Sequence, residues 1–392
     1  MLVLEIFLSP LNTGMNTLVA PYFYSWGCGN PAYKVQSLVD AKGKMGLSAA
    51  TIAFVISGGT GRVNPEIALI TPDIVAFQKM GGKVILSFGG ANGPYLEEAV
   101  KTAPELFSIW EKLIMSTGVK AFDFDVEGFY LNAAHLNTLR RDALRLLQAK
   151  YPDVRVSFTL AVMPPDQWGN ASLPGDGVKF LQDHISAGVN INLVNCMTMD
   201  YGSSFAVKNQ AQLAIACAES LKGQLLKLYP KKTNEELYAM IGITPMIGKN
   251  DDANVFQLED AVTVSRYAKE KRIGLLSYWA LQRDQCGTGS LALFSQTNKK
   301  DFDYYHAFCD STLLPPKPGP SPNPAPKPIS GPVPLKPVIL EPVPSDPRQW
   351  VVGVAYKLGD VVILNGTKYV CTTSHTSQAD WSPTVPTALW KS

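Results

Sequence analysis

The stretch AFDFDVEG (Ala121–Gly128) places an acidic residue at every second position of an apolar run. Successive side chains of a strand point to opposite faces, so Asp123, Asp125 and Glu127 share one face of a predicted strand. Phe122, Phe124 and Val126 share the other face. This apolar face indicates a strand that is buried against other elements. A solvated edge strand is the less favoured alternative.

Three carboxyl groups at alternate positions lie roughly 6–7 Å apart along the strand. They cannot all be ionised at low cost, because like charges and a low dielectric both disfavour the charged form. At least one of them is therefore expected to keep its proton up to a pH at which it can serve as a general acid. A structural strand has no use for this arrangement, so the pattern indicates a catalytic site.

The sequence around this stretch alternates strands with helices. Eight predicted strands are rich in Val, Ile, Leu and Phe: Val19–Tyr24, Thr51–Ser57, Lys83–Gly90, Ala121–Gly128, Val154–Val162, Asn192–Asp200, Ala239–Met246 and Gly274–Leu281. Helical patterns separate them, such as Ala134–Lys150, where leucines recur at helical spacing. Eight such units in about 290 residues favour an α/β fold of the (β/α)8 TIM-barrel type, with catalytic side chains at the C-terminal strand ends. A doubly wound sheet is the alternative.

Proline use divides the chain. Of the 29 prolines, 14 fall between Pro315 and Pro347, where few residues could form a core. Such a run favours polyproline II and is too long for an irregular loop inside a compact domain. We therefore expect a barrel over residues 1–313, a linker over 314–347 and a small β domain over 348–392.

The acidic strand resembles the fourth strand of family 18 glycoside hydrolases, the chitinases and their relatives, which ends in DxxDxDxE. Asp123, Asp125 and Glu127 match the last three acidic positions, whereas Lys120 stands at the first. Three further segments resemble the third, sixth and eighth strands of the family in the right order: SFGG (Ser87–Gly90), MTMD (Met197–Asp200) and SYWAL (Ser277–Leu281). The resemblance covers nearly the whole of the predicted barrel, residues 1–313.

The resemblance implies catalytic roles for the three acidic residues. Glu127 would protonate the glycosidic oxygen and later act as a base towards water. The 2-acetamido carbonyl of the substrate would be the nucleophile, in a substrate-assisted retaining scheme. Asp125 would orient the acetamide and stabilise the oxazolinium ion, and Asp123 would share a proton with Asp125. No metal and no organic cofactor is required.

The resemblance also implies substrate-binding residues. Trp279 would form the floor of the sugar site. Met199 stands where most members have a tyrosine that donates to the acetamido oxygen, and methionine cannot donate. We expect Asp200 to help orient the sugar and Tyr201 to turn inward and replace the missing donor. A tyrosine that points outward is the alternative.

Further aromatic residues lie near the ends of predicted strands. Tyr22, Trp26 and Trp168 are candidate platforms for sugar rings, because sugars stack their C–H faces on aromatic rings. Packing in the core is the alternative for each of them.

The last 43 residues resemble the small chitin-binding modules of carbohydrate-binding families 5 and 12. They are rich in aromatic residues, and Asn365-Gly366 between two β runs predicts a hairpin. The AKWWTQ motif of other members is missing. We expect Trp381 and Trp390 to bind chitin and Tyr369 to belong to the core. The matching positions are Trp350, Tyr356, Gly359, Asp360, Val361, Gly366, Tyr369, His375, Thr376, Trp381, Pro383, Pro386, Leu389 and Trp390.

Composition excludes several other classes of function. A formal net charge of +2 does not suggest a nucleic-acid-binding protein or a partner of anionic membranes. The chain has no apolar run of the ~20 residues that span a bilayer. The six cysteines form no CxxC and the four histidines are scattered, so a zinc site is disfavoured. We expect a monomer.

The two resemblances together imply a chitinase that cleaves β-1,4 linkages between N-acetylglucosamine units of chitin and chitooligosaccharides. A catalytically inactive chitin-binding lectin and an endo-β-N-acetylglucosaminidase acting on glycoprotein glycans are the alternatives. An adhesin that uses the C-terminal module to colonise chitin surfaces is a further alternative and is compatible with enzyme activity. We expect an extracellular, secreted protein, although Leu2–Leu8 falls short of a signal peptide in length and charge.

Overall fold

A computed structural model describes residues 17–166, 169, 171–310, 348–350, 355–356, 360–364, 366–371, 375–376 and 390–391. The chain falls into two compact units, one up to residue 319 and one from residue 320. The predictions for Trp168, for Trp381 and for the linker over residues 314–347 lie outside the described residues. No helix within those ranges is long and apolar enough to cross a membrane.

The larger unit is built on one parallel sheet. Its nine strands are β1 (Leu18–Val19), β2 (Tyr22–Tyr24), β3 (Ala49–Val55), β4 (Lys83–Gly89), β5 (Ala121–Asp125), β6 (Arg155–Ala161), β7 (Leu193–Met197), β8 (Ile241–Thr244) and β11 (Leu275–Leu276). A separate antiparallel pair, β9 (Gly248–Lys249) and β10 (Val255–Phe256), follows β8. The sheet order is β1-β11-β8-β7-β6-β5-β4-β3-β2.

The sheet closes on itself because β1 and β2 are two parts of one strand. β1 pairs with β11, and β2 pairs with β3. Between them, the Ala20 N–H donates to the Leu276 carbonyl on one side, and the Thr51 N–H donates to the Pro21 carbonyl on the other. Eight strands therefore surround one axis, as the (β/α)8 barrel prediction required.

Helices follow the strands and cover the outside of the barrel. They are α1 (Leu38–Met45), α2 (Pro65–Lys79), α3 (Ala103–Thr117), α4 (Ala134–Lys150), α5 (Gly175–Ser186), α6 (Gln210–Leu228), α7 (Asn234–Ala239), α8 (Leu258–Lys271) and α9 (Asp303–Cys309). Local sequence sets their ends: α3 begins at a capping box of Thr102 with Glu105 and ends at Gly118 with φ +72°.

The barrel interior is layered, and the layers position the site. At the N-terminal end the interior is filled by Ile85, Leu275 and small alanines. One step along the strands, the inward side chains become polar, with Ser87, Asp123 and Asn195 buried there. The next inward step reaches the C-terminal rim, to which Asp125 belongs. An apolar base thus supports a polar layer beneath the catalytic end.

The smaller unit contains short strands and one antiparallel hairpin. The strands of this unit are β12 (Arg348–Gln349), β13 (Ala355–Tyr356), β14 (Val361–Leu364), β15 (Thr367–Cys371), β16 (His375–Thr376) and β17 (Trp390–Lys391). β14 and β15 pair antiparallel, with Leu364 opposite Thr367 and Gly366 at φ +80° between them. The hairpin predicted from Asn-Gly is confirmed.

Candidate active site

Asp123 is the most heavily hydrogen-bonded carboxylate of the acidic strand. It is 1% exposed in the middle of β5. Its two oxygens accept from the hydroxyls of Tyr22 (3.1 Å), Ser87 (2.8 Å), Ser157 (2.7 Å) and Thr159 (3.0 Å). Burial raises the pKa of Asp123, and the hydrogen bonds oppose that rise. The arrangement holds an acceptor in one fixed orientation.

The polar layer continues across β7 and β8. The Asn195 amide donates to Thr159 at 3.0 Å, and its oxygen accepts from Thr244 at 2.9 Å. A Cβ on Gly242 would lie 2.5 Å from that amide oxygen, so only glycine leaves room for Asn195. Sequence reasoning missed this layer, although polar side chains at alternate positions of buried strands were its visible signal.

Asp125 differs from Asp123 because one of its oxygens is left unpaired. The residue is 4% exposed, and its Oδ1 has no hydrogen-bond partner among the described residues. Burial raises the pKa of Asp125 well above its ordinary value, and the charges of Glu127 and Asp123 raise it further. Burial and the neighbouring charges therefore favour the protonated form of this carboxyl group, and its Oδ1 is a buried acceptor without a hydrogen bond among the described residues.

Glu127 follows the end of β5 and is partly buried. Burial raises the pKa of its carboxyl group to about 7, and the charge of Asp200 contributes to the rise. Its backbone N–H donates to the Tyr95 hydroxyl at 3.1 Å. A carboxylic acid that keeps its proton near neutral pH is what general acid catalysis requires.

Asp200 lies beyond the end of β7, where φ is +52°. The residue is exposed as a whole, whereas its carboxyl group is largely shielded from water. Its Oδ1 accepts from the backbone N–H groups of Asp251 (3.0 Å) and Asp252 (3.4 Å). Burial raises the pKa of Asp200 to about 6, and the charges of Asp251 and Asp252 add to this. The charge of Asp200 in turn contributes to the raised pKa of Glu127.

The glycines of SFGG are required by close approaches. A Cβ on Gly89 would lie 2.3 Å from the Asp125 carbonyl oxygen, and one on Gly90 would lie 2.5 Å from the Phe54 ring. Both residues have positive φ, +101° and +87°. The end of β4 can therefore lie against the catalytic strand only without side chains.

Aromatic rings form one wall of the barrel mouth. Trp279 is partly exposed and stacks on Phe54 at 5.6 Å between ring centroids, with an angle of 14°. The Tyr22 and Tyr24 rings lie 5.6 and 5.0 Å from it. Trp26 is 47% exposed and stacks on Tyr24 at 4.6 Å. Trp279 and Trp26 thus offer ring surface to a ligand, whereas Phe54 and Tyr24, which the sequence did not indicate, support them.

Two sequence expectations for aromatic residues of the barrel are wrong. Tyr22 is 2% exposed, so it offers no platform to a sugar, and its hydroxyl donates to Asp123 instead. Tyr201 does not turn inward: it is 4% exposed and packs against Phe205, and the Cys217 thiol of α6 contacts its hydroxyl at 3.9 Å. The left-handed conformation at Asp200 breaks the strand alternation and sends the next side chain outward.

Three other predicted positions can be located. Met199 is partly buried two residues beyond Met197, the last residue of β7. Lys120 lies before β5 and pairs with Asp153 at 2.6 Å, away from the catalytic end. In the smaller unit Trp390 is 8% exposed and packs edge-on against Tyr356 at 5.1 Å. Its burial in that small core contradicts the expectation of a chitin platform, whereas Tyr369 packs at the edge of the same core, as expected.

Comparisons with known proteins agree with these observations. The C-terminal unit matches carbohydrate-binding module family 5/12 over residues 349–391. The barrel is similar to the catalytic domain of a hyperthermophilic chitinase from Pyrococcus furiosus, at 32% identity and a TM-score of 0.65, covering 76% of this chain and 95% of that one. Catalytic-site mutants of a thermostable chitinase from the same organism, complexed with chito-oligosaccharides, match at 32% identity and a TM-score of 0.64, covering 78% and 97%. Endochitinase 11 of Metarhizium anisopliae is 32% identical over 252 residues, 60% of this chain and 47% of that protein.

This chain covers a catalytic domain of a relative almost completely but covers much less of the full-length curated relatives. The chain spans about half or less of the length of the first curated relatives it matches, 47% and 25%. It covers almost all of the Pyrococcus catalytic domain at more than 30% identity. Because the acidic strand and the barrel agree with that relationship, the chain belongs to the family 18 chitinases and carries a family 5/12 carbohydrate-binding module at residues 349–391.

Proposed function

We propose that this protein is a chitinase that hydrolyses β-1,4 linkages between N-acetylglucosamine units with retention of configuration. The observation that carries the proposal is the pairing of two unlike carboxyl groups on one strand end. Burial raises the pKa of Glu127 to about 7, and Asp125, two residues earlier, has a buried Oδ1 with no hydrogen-bond partner among the described residues. One group suits proton donation and the other suits binding of a ligand N–H.

The first step uses Glu127 as the acid. Its proton passes to the glycosidic oxygen as the bond to the anomeric carbon breaks, and the leaving sugar departs as an alcohol. The carbonyl oxygen of the substrate's 2-acetamido group attacks the anomeric carbon and gives a cyclic oxazolinium ion. A protein nucleophile is not needed, because the neighbouring acetamide already lies within bonding distance of the reacting carbon.

Asp125 aligns that acetamide. Its free Oδ1 accepts the acetamide N–H, which directs the carbonyl oxygen at the anomeric carbon. When positive charge develops on the oxazolinium ring, a carboxylate at this place stabilises it. Asp123 shares a proton with Asp125, and its four hydroxyl donors keep it in place while the charge of the pair changes.

In the second step Glu127, now ionised, accepts a proton from water. The water oxygen attacks the anomeric carbon from the side that the leaving group vacated, which opens the oxazolinium ring and retains the configuration. Glu127 therefore acts in both steps, first as acid and then as base, and its carboxyl group must stay at the same distance from the anomeric carbon.

Met199, just after β7, stands where most family members have a tyrosine that donates to the acetamido carbonyl. Met199 cannot donate, and Tyr201 packs against α6. Orientation of the sugar then depends on Asp125, on Asp200 and on stacking against Trp279. Trp26 extends the aromatic surface, since its ring lies 6.5 Å from that of Trp279.

Both units support the proposed substrate class. The related Pyrococcus chitinase was captured with chito-oligosaccharides, and the C-terminal module belongs to a carbohydrate-binding family. A module joined by a linker over residues 314–347 to a barrel over 1–313 raises the concentration of enzyme at an insoluble polymer. We propose chitin as the substrate, with a secreted monomer as the acting form.

The test is hydrolysis of chitin oligosaccharides by the full chain, followed by mass spectrometry. Glu127→Gln should lower kcat about 10³- to 10⁴-fold, because the amide cannot donate the catalytic proton. Glu111→Gln on α3, which loses a surface pair with Lys150, is the matched control and should keep full activity. A wild type that binds chitin but cleaves nothing would establish the lectin. Release of glycans from a glycoprotein without cleavage of chitin oligomers would establish the endo-β-N-acetylglucosaminidase.

A further inference from the structure

The hydroxyl of Tyr95 lies at the point where the catalytic strand ends. It donates to the Asp125 carbonyl oxygen at 2.8 Å and lies 3.2 Å from the Gly90 carbonyl oxygen. It accepts the Glu127 backbone N–H at 3.1 Å. One side chain thus bonds the backbone on both sides of Val126, between the two carboxyl groups of the proposed mechanism. The residue is 2% exposed and has no surface with which to touch a substrate.

We propose that Tyr95 is the positioning residue that fixes the backbone from Asp125 to Glu127, and through it the reach of the Glu127 carboxyl group to the scissile bond. β5 ends at Asp125, so Glu127 lies beyond the regular strand. Gly128 then takes a positive φ of +51°, and a short 3-10 helix over Gly128–Asn132 begins. The segment that carries the acid therefore depends on side chains for its position.

The surroundings of Tyr95 hold its ring in place. Its ring stacks on Tyr130 with centroids 3.6 Å apart and an angle of 9°. Glu98 joins the two residues, because one carboxylate oxygen accepts the Tyr95 backbone N–H at 2.9 Å and the Tyr130 hydroxyl at 3.0 Å. Gly89 lies against the other side, where a Cβ would approach the Tyr95 ring to 2.8 Å.

A buried ion pair supports this assembly from α4. The Arg140 guanidinium lies 5.9 Å from the centre of the Tyr95 ring and pairs with Glu97, both groups being almost fully buried. Arg140 also donates to Asn137 at 2.6 Å, and the Asn137 amide donates to the Leu131 carbonyl at 2.9 Å. Charged groups are buried at a cost, which is offset only where their geometry is fixed. This network connects α4 through Tyr95 to the catalytic segment.

The expected consequence of losing the hydroxyl is a mispositioned acid. Tyr95→Phe leaves the ring stack in place but removes the acceptor for Glu127 N–H and the donor to the Asp125 carbonyl. A small displacement of a reacting group costs up to about 100-fold in rate, so we expect kcat to fall about 10- to 100-fold, with KM for chito-oligosaccharides changed by less than about threefold. Looser packing would admit water to Glu127, and the alkaline limb of the pH profile would move towards lower pH.

The experiment compares the full-length wild type with Tyr95→Phe, and with Tyr267→Phe as the matched control. The Tyr267 hydroxyl also donates to a carboxylate, Glu219 at 2.9 Å, but on α8 outside the barrel. Its loss should leave kcat within about twofold. Circular dichroism at each pH gives the folded fraction, so rates expressed per folded enzyme distinguish a shifted limb from partial unfolding of Tyr95→Phe.

A double variant separates positioning from general damage. If Tyr95 acts through Glu127, adding Tyr95→Phe to Glu127→Gln should change the residual kcat by less than about twofold. A Tyr95→Phe enzyme with wild-type kcat, a lowered kcat with an unshifted pH limb, or a fully multiplicative double variant would each overturn the role. The inference depends on the proposed function: an inert wild type would overturn both, whereas an active wild type with an unaffected Tyr95→Phe variant would overturn only the positioning role.

Discussion

Asp123 and Asp125 lie two residues apart on the same face of the same strand, and both are buried, yet their surroundings are opposite. Asp123 belongs to the polar layer inside the barrel and receives four hydroxyl donors. Asp125 lies one step nearer the rim, where its Oδ1 meets no donor among the described residues. A buried oxygen without a partner is costly, and this supports the proposal that a ligand N–H pairs with it. We infer that the polar layer around Asp123 keeps the site rigid and that the rim around Asp125 binds the ligand.

The rim continues this difference beyond the strand. Glu127 and Asp200 both have raised pKa values, about 7 and about 6, and burial is the largest cause for each. The charge of Asp200 adds to the raised pKa of Glu127, and the charges of Asp251 and Asp252 add to that of Asp200. Asp123 accepts hydrogen bonds from four hydroxyl groups, whereas the Oδ1 atom of Asp125 accepts none among the described residues. One alternating sequence therefore contains two kinds of carboxyl group.

The largest expected effects come from replacing the two aspartates separately. Asp125→Asn removes a charge that stabilises the oxazolinium ion, and kcat should fall about 10²- to 10³-fold. Its stability should remain close to that of the wild type, since the replaced oxygen had no partner. Asp123→Asn should instead destabilise the fold by about 2–4 kcal/mol, because hydroxyl donors would face an amide N–H₂ group.

Chemical denaturation and oligosaccharide kinetics on both variants measure this contrast. Asp153→Asn is the matched control, because its ion pair with Lys120 lies at the surface and contributes little. If Asp125→Asn proved the less stable variant and Asp123→Asn the less active one, the division into a supporting layer and a binding layer would be wrong.

An intermediate effect concerns pH. Glu127 must carry a proton to act as an acid, so kcat/KM should decline as the pH rises through about 7. The Asp200 charge contributes to that raised pKa, so Asp200→Asn should move the alkaline limb towards lower pH. Profiles of both enzymes on a soluble oligomer give the comparison, and an unmoved limb in Asp200→Asn would show that the two groups are not coupled.

The same pKa has a consequence for stability, with a defined sign. A carboxyl group whose pKa is higher in the folded state binds its proton more tightly there. Its contribution to the free energy of unfolding is complete below the unfolded pKa of about 4.3 and is lost as the pH rises through about 7. Glu127→Gln removes this contribution, so the gap in stability between variant and wild type should change across that interval.

The smallest effect is expected at Tyr201. The residue packs outside the barrel against Phe205 and α6, and its hydroxyl contacts the Cys217 thiol at 3.9 Å. Tyr201→Phe should therefore keep kcat and KM within about twofold of the wild type. A loss above tenfold would mean that this side chain reaches the substrate and would return the donor role to it.

Sequence patterns predicted the parts of the site that depend on periodicity. The alternation in AFDFDVEG indicated which side chains of β5 face inward, because a strand repeats every two residues whatever surrounds it. The helix predicted over Ala134–Lys150 has those same bounds in the structure, since its leucines recur at helical spacing. These are local properties of the backbone, and the sequence expresses them directly.

Predictions failed where a contact joins distant segments. The positions of Tyr22 and Trp390 depended on which rings the core needed, and both proved buried. Tyr201 followed the strand pattern in the sequence, but the positive φ at Asp200 turned the chain. The sequence did not indicate Tyr95, because the role of a tyrosine in a loop depends on which backbone atoms its hydroxyl contacts in the folded chain.

The sequence by itself determined the order of strands and helices, the face of β5 that carries the carboxyl groups and the family to which the acidic strand belongs. These follow from covalent periodicity and from residue types at fixed spacing. Only the tertiary structure decided that Asp123 is fully hydrogen-bonded, that Asp125 keeps a free oxygen, and that Tyr95 holds the segment between Asp125 and Glu127. Hydrogen bonds, desolvation and charge coupling depend on distances between residues far apart in the chain, and folding alone sets those distances.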